Sequence, residues 1–184
     1  MVTLNQDEQR CLLELARQTI VAAVGGAALD LSAWSARLPS ERLRGCAAAF
    51  VTLHRQGRLR GCVGIVRAVK PLYLTVADAA VSAALRDPRF EPVSEAELPQ
   101  LKIEISLLSP FFPVRPEEVK PGEHGLMISQ GFRRGLLLPC TAIEHGWDRE
   151  SFLAETCAKA GLERDAWKAG ALIEGFTAFV FSED

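Results

Sequence analysis

Twice along the chain the same succession can be read: two short apolar runs joined by a turn rich in glycine and arginine, then a helix, then a single strand. Runs joined by so short a turn can pair only antiparallel, and a half-apolar helix needs a sheet face to cover. The pattern predicts an α+β fold of two similar hairpin–helix–strand halves sharing one core, with an extra N-terminal helix. The halves span about 46–109 and about 124–182, and the resemblance between them is one of plan. With 184 residues, 48% of them hydrophobic, the chain can bury one sizeable core. It contains no low-complexity segment and no long linker, so 1–184 reads as a single domain.

The N-terminal helix is predicted over 6–24. Asn5 caps it with Glu8 reaching back, and Leu12, Leu15, Ala16, Thr19, Ile20 and Ala23 form its apolar stripe. Gly25 ends it. In the first half the strand-like runs are Cys46 to Leu53 and Leu59 to Val66. Arg55-Gln56-Gly57 between them reads as a three-residue hairpin loop with Gly57 in the left-handed position. That loop places Leu53 opposite Leu59, Val51 opposite Gly61 and Ala49 opposite Val63 on a buried face. Thr52, His54, Arg58, Arg60 and Cys62 then fall on the other face, with Phe50 opposite Cys62.

A helix follows from Pro71, at N1, to about Arg86. Its stripe is Leu72, Val76, Ala80, Ala83 and Ala84, and Asp87-Pro88 stops it. Residues 94 to 98, SEAEL, form a capped turn, and Leu101 to Leu107 alternate as a half-buried strand. In the second half, Leu126 to Ser129 and Gly135 to Leu138 flank QGFRRG. Asp148 caps a helix ending near Gly161, and Glu174 to Phe181 is the last strand.

Composition narrows the function. Lys and Arg total 21 against 23 Asp and Glu, a net charge of −2, which argues against a general nucleic-acid binder. The local patch Arg55, Arg58, Arg60 and Arg67 leaves RNA binding as a weak reading. MVTLNQDEQR carries acids and no apolar run, so it does not read as a signal peptide. The longest charge-free apolar stretch is too short to span a bilayer. Cys11, Cys46, Cys62, Cys140 and Cys157 are odd in number and widely spaced, without a CxxC pair, so neither a disulfide framework nor a zinc ribbon is expected. These features describe a cytoplasmic protein with reduced thiols, no membrane association, no metal and no cofactor.

The stretch RQGRLRGCVG, 55 to 64, carries the candidate chemistry. Arg60 and Cys62 share a strand face ~7 Å apart, and a guanidinium beside a thiol favours the thiolate. Gly61 and Gly64 remove bulk on either side of the thiol, and His54 and Arg58 add polar groups on its face. With no carboxylate between Gln56 and Arg67, an accessible thiol of lowered pKa is expected, or a pocket for an anion. The competing reading makes Cys62 a small buried hydrophobe and the glycines room for the alanine-rich helix. In DPRF, Asp87 or Arg89 fixes a ligand or pairs with Arg60, or the stretch is a helix stop that buries Phe90. His124, in PGEHGLM, is a candidate base or an ordinary loop histidine, and His145 suits a surface role.

LRGCVG at 59 to 64 resembles the signature hexapeptide of the AMME chromosomal region protein family, whose prokaryotic members are the A component of the AmmeMemoRadiSam system. The resemblance runs from about Phe50 to the C-terminus. It includes Asp87-Pro88-Arg89-Phe90, Glu104 to Leu108, His124-Gly125-Leu126, Arg134 to Pro139 and Gly146-Trp147-Asp148. Val63 replaces the more usual isoleucine, and Cys140 stands where an amide or acid is expected. The resemblance implies an α+β fold of two similar halves and two protein partners, a Memo-like protein and a radical SAM protein. It implies no particular reaction, but it weights Arg60 and Cys62 toward function. Two readings result: an enzyme or enzyme subunit using a Cys62–Arg60 pocket on an unknown small molecule, or a non-catalytic module presenting a ligand or substrate to those partners.

Overall fold

In the computed structural model the described residues are 3–183. They divide into two compact units: the chain up to Leu108 together with the segment from Phe179 onward, and Ser109–Ala178.

The first unit begins with α1 (Gln6–Val24), as its periodicity predicts. Asn5 Oδ1 accepts the Glu8 N–H at 2.9 Å, and Glu8 Oε2 accepts the Asn5 N–H at 2.8 Å. This reciprocal cap satisfies two donors that a helix start would otherwise leave orphaned. Leu12, Leu15, Ala16, Thr19 and Ile20 are buried, while Ala23 is only partly covered. Gly26, rather than Gly25, takes the left-handed conformation beyond the end. A short α2 (Leu31–Ser35) follows, capped by Asp30.

The strands β1 (Ala48–Arg55) and β2 (Arg58–Ile65) form the expected hairpin, in a different register. Gln56 joins Gly57 at positive φ, 53° and 74°, so the turn is a two-residue loop with the twist that hairpins favour. Arg55 pairs with Arg58 and His54 with Leu59, and Leu53 then pairs with Gly61, not Leu59. Arg60 is the extra residue of a bulge. One step of shift from the turn and one from the bulge make two, an even number that restores side-chain parity. Ala49, Val51 and Leu53 therefore face inward as expected. Leu59, on the turn side of the bulge, is turned outward and exposed. Phe50 lies opposite Gly64, and Thr52 takes the place opposite Cys62.

Helix α3 (Leu72–Leu85) starts one residue later than expected, with Pro71 as its cap. It lies so close to β2 that a Cβ on Gly61 would sit 2.2 Å from the Ala83 carbonyl oxygen. A 3-10 turn, Glu95–Gln100, leads into β3 (Leu101–Leu108), which pairs with β1.

The second unit repeats the arrangement. After β4 (Phe112–Pro113) come β5 (Gly125–Gln130) and β6 (Arg133–Leu137), then α4 (Pro139–Glu144), α5 (Arg149–Lys159) and β7 (Leu172–Phe176). Asp148 caps α5 through the Ser151 N–H at 2.8 Å. A Cβ on Gly135 would sit 2.3 Å from Ala160 N, so a glycine on the second hairpin strand admits the helix in both units.

The expected last strand is cut at Thr177, where the Ser109 N–H donates to Thr177 O and the Thr177 N–H donates to Ser109 Oγ, both at 2.9 Å. Beyond the break, β8 (Ala178–Ser182) joins the first sheet. The strand orders are β2-β1-β3-β8 and β4-β7-β5-β6, so β1 and β5 hold equivalent central places. Buried apolar side chains gather in two clusters. One forms around α1, α3 and the inner face of β1 and β3. The other forms around α5 with Leu126, Ile128 and Ile173. Each unit thus has a buried cluster of its own, because each helix covers its own sheet.

Candidate functional site

The hexapeptide strand β2 lies at an edge of its sheet. An edge strand presents backbone groups with no neighbouring strand to take them. At Cys62 the turn after α3 takes that neighbour's place. The Cys62 N–H donates to Asp87 Oδ2 at 2.8 Å, and Arg89 Nη2 donates to the Cys62 carbonyl at 3.2 Å. Arg89 grips the same carboxylate through Nε at 2.9 Å and Nη2 at 2.7 Å. The pair exchanges a donor and an acceptor with one residue, as a paired strand would. The polar contacts described for the Asp87 carboxylate are to Cys62 and Arg89, and Arg60 is not among them. Asp87 is 5% exposed. The Arg89 guanidinium holds its carboxyl well below the usual carboxylate range against the opposing effect of burial, and the Cys62 N–H adds to the lowering.

The thiol sits half-buried on the opposite face from the core, as expected. Its electrostatics are the reverse of the expectation. Burial pushes the Cys62 thiol up from its ordinary value. Thr52 Oγ1, which donates to Sγ at 3.3 Å, and the Arg89 charge oppose the rise, while Asp87 and Glu104 add to it. Glu104 reaches this neighbourhood by register, since β1 places Thr52 between Cys62 and Glu104 in one row across the sheet. The absence of local carboxylates in 56–67 is thus offset by carboxylates from elsewhere in the chain.

Arg60 is engaged elsewhere. As the bulged residue it reaches Glu97, with Nε on Oε1 at 2.8 Å and Nη2 on Oε2 at 3.1 Å. Arg55 Nη1 shares Oε1 at 2.8 Å. Arg60, with the Ser94 N–H and hydroxyl, draws the Glu97 carboxyl down to about 2 despite its burial. Two guanidinium groups approach the Phe90 ring, that of Arg60 at 5.9 Å and that of Arg89 at 5.5 Å from its centroid. Arg60 Nη1 is buried with no hydrogen-bond partner among the described residues, so both N–H groups on that nitrogen are left unsatisfied.

The structure therefore brings Cys62, Asp87 and Arg89 into one network and sends Arg60 into another with Glu97. Gly61 and Gly64 serve packing: Gly61 admits α3, and a Cβ on Gly64 would meet the Phe50 ring at 2.3 Å. Arg58 is exposed beside the turn. His54 lines a separate cavity of about 550 Å³ with Lys102, Glu104 and Glu183. His124 belongs to the second unit, where its Nδ1 accepts the Lys120 N–H at 3.4 Å and its ring meets Phe112 edge-on. Among the described residues no three His, Cys, Asp or Glu side chains gather where they could hold a metal. Sequence reasoning missed Glu97 and Thr52 as members of these networks. The Ser94–Glu97 capping box was the one available signal for Glu97.

A solved structure with the same architecture exists, described as an uncharacterized protein, PH0010, from Pyrococcus horikoshii. Its TM-score is 0.90 at 35% identity, covering 98% of this chain and 93% of that one. A protein of Methanothermobacter thermautotrophicus is 40% identical over 98% of this chain and 97% of its own length. Protein MJ0810 of Methanocaldococcus jannaschii is 44% identical over 76% of this chain and 73% of its own. The AMMECR1 family matches residues 13–181, a span that holds both hairpins, both glycine-admitted helices and the clasp at Cys62, and the chain belongs to that family.

Proposed function

We propose that the chain is a non-catalytic module that presents a ligand or substrate to a Memo-like protein and a radical SAM protein in the cytoplasm. The observation that carries this over an enzyme with a Cys62 nucleophile is the state of the network itself. The thiol is held toward its protonated form, and Arg60 and Arg89, the two arginines that reach its surroundings, are bound by carboxylates of the same chain. A nucleophile needs thiolate character, and an anion pocket needs a cation with unspent donors. Arg60 Nη1 is buried without a partner among the described residues, and a ligand acceptor entering beside Glu97 would satisfy it. The partners follow from the family resemblance. No helix among the described residues is long and apolar enough to cross a membrane, which is compatible with the assignment.

The test is co-expression of the tagged chain with a Memo-like protein and a radical SAM protein encoded by the same genome. Both should co-purify with the wild type and with Cys62→Ala. Failure of both to co-purify with the wild type would sink the reading. So would a folded Cys62→Ala variant that assembles but abolishes turnover by the assembly.

A further inference from the structure

Phe132 stands at the apex of the β5–β6 hairpin with its side chain fully exposed. The turn does not ask for it. Gln130 pairs with Arg133, leaving a two-residue loop in which Gly131 takes φ 60°. That geometry calls for glycine at the first position and accepts polar residues at the second. Phe132 contributes nothing to the core, so its cost in exposed apolar surface is uncompensated within the chain. Around it the surface is cationic and partly apolar. Arg133 and Arg134 flank the apex, and neither pairs with a carboxylate among the described residues; Arg133 Nη1 donates to the Gly161 carbonyl at 2.8 Å. Leu172, also exposed, lies in register with Ser129 and Arg134 across the same end of the sheet.

The same unit carries a hollow of matching chemistry. At the start of α5 a cavity of about 400 Å³ is lined by Pro116, Leu153 and Trp167 and rimmed by Glu117, Asp148 and Glu150. Its volume is ample for one phenylalanine side chain. Arg149 also lines it, with its Nε bound to the Val119 carbonyl at 2.8 Å, and Lys168 lies over the Trp167 ring at 4.7 Å and near Glu150 at 3.9 Å. The lining itself carries three carboxylates against Arg149. Glu117 lies 3.5 Å from Arg115, but the Glu117 and Glu150 side chains are largely in solvent and stay open to a further cation.

We propose that this chain associates head to tail with a second copy of itself, Phe132 of one copy entering the acid-rimmed cavity of the next. The aromatic knob supplies the buried anchor that such contacts depend on, and Arg133 and Arg134 meet the Glu117 and Glu150 rim. The contact is heterologous, because knob and socket are different surfaces of the same unit. A bilayer is the poorer occupant: one aromatic side chain and two cations on a chain of net charge −2 fall short of the large apolar face or double anchor that surface residence requires.

Sedimentation velocity at rising concentration, on the full chain, tests this. The wild type should associate reversibly, and Phe132→Ser should weaken that association by about thirtyfold, the effect of removing an interface anchor. Glu117→Arg with Glu150→Arg should do the same from the socket side. Unchanged melting curves identify the variants as folded. The decisive arm mixes the two variants: the first has a socket without a knob and the second a knob without a socket. Together they should form a one-to-one complex that grows no further. A wild type that stays monomeric throughout, association unaffected by Phe132→Ser, or a mixture that fails to complement would each overturn the proposal. Binding to phosphatidylserine vesicles that Phe132→Ser abolishes would place the knob on a membrane and overturn it equally.

Discussion

Replacing Asp87 by alanine should undo the clasp on the edge strand, and the structure sets the size of the effect. The carboxylate is 5% exposed and accepts the Cys62 N–H and three Arg89 donors, the backbone N–H, Nε and Nη2. Its removal leaves the Cys62 N–H unpaired at a partly covered position, which costs about 1–3 kcal/mol. The Arg89 side chain is 52% exposed, so losing its ion pair adds only about 0–1 kcal/mol. The sum, about 1–4 kcal/mol, should appear as a lowered urea midpoint at neutral pH. The sign with pH follows from the depressed folded pKa of Asp87. A group whose folded pKa lies below its unfolded value, about 3.9, stabilises the fold above that value and loses the contribution as pH falls toward the folded one. Wild type and Asp87→Ala should therefore differ most at neutral pH and converge in strong acid. Because the chain has two units, hydrogen exchange at the Cys62 amide is the sharper assay: protected in the wild type, exchanging faster in the variant. An Asp87→Ala protein with the wild-type midpoint and a still-protected Cys62 amide would refute the clasp.

Three further expectations can be checked directly. Gly61→Ala should destabilise the first unit by about 1–3 kcal/mol or more, since its Cβ meets backbone at Ala83 rather than a movable side chain. Gly135→Ala should do the same in the second unit, and melting curves that match the wild type would contradict both. Cys62 should alkylate with a midpoint above that of free cysteine and more slowly than the exposed Cys46, read by mass spectrometry across pH; faster reaction at Cys62 would restore the nucleophile. Glu97→Gln should lower stability at neutral pH and lose its penalty as pH falls from about 4.3 toward about 2, the folded value, because the Glu97 contribution is present above the unfolded pKa and lost below it.

Local signals were legible where one segment carries its own explanation. The Asn5–Glu8 cap, the stripe of α1 and the inward alternation of Ala49, Val51 and Leu53 could all be read because each depends on neighbours within a turn or on a period of two or 3.6. The repeated hairpin–helix–strand plan was legible for the same reason, and the strand orders of the two sheets express it. The hairpin register was not. It turned on Gln56 adopting φ 53° and on a bulge at Arg60, small energetic choices that the alternating pattern leaves open.

The sequence alone thus determined the three long helices and the two hairpins, which face of β1 is apolar, and that Cys62 stands on the other face, but not the short α2 and α4 or the break at Thr177. Tertiary structure alone decided what surrounds that thiol. Asp87 lies 25 residues away along the chain from Cys62, and Glu97 lies 37 from Arg60. Their positions depend on β2 being an edge strand and on the path of the chain after α3. Burial and charge are properties of a neighbourhood. A neighbourhood assembled from distant segments exists only once the chain has folded, which is why Arg58 and Arg60 beside a cysteine suggested a thiolate while burial in the folded protein favours the thiol.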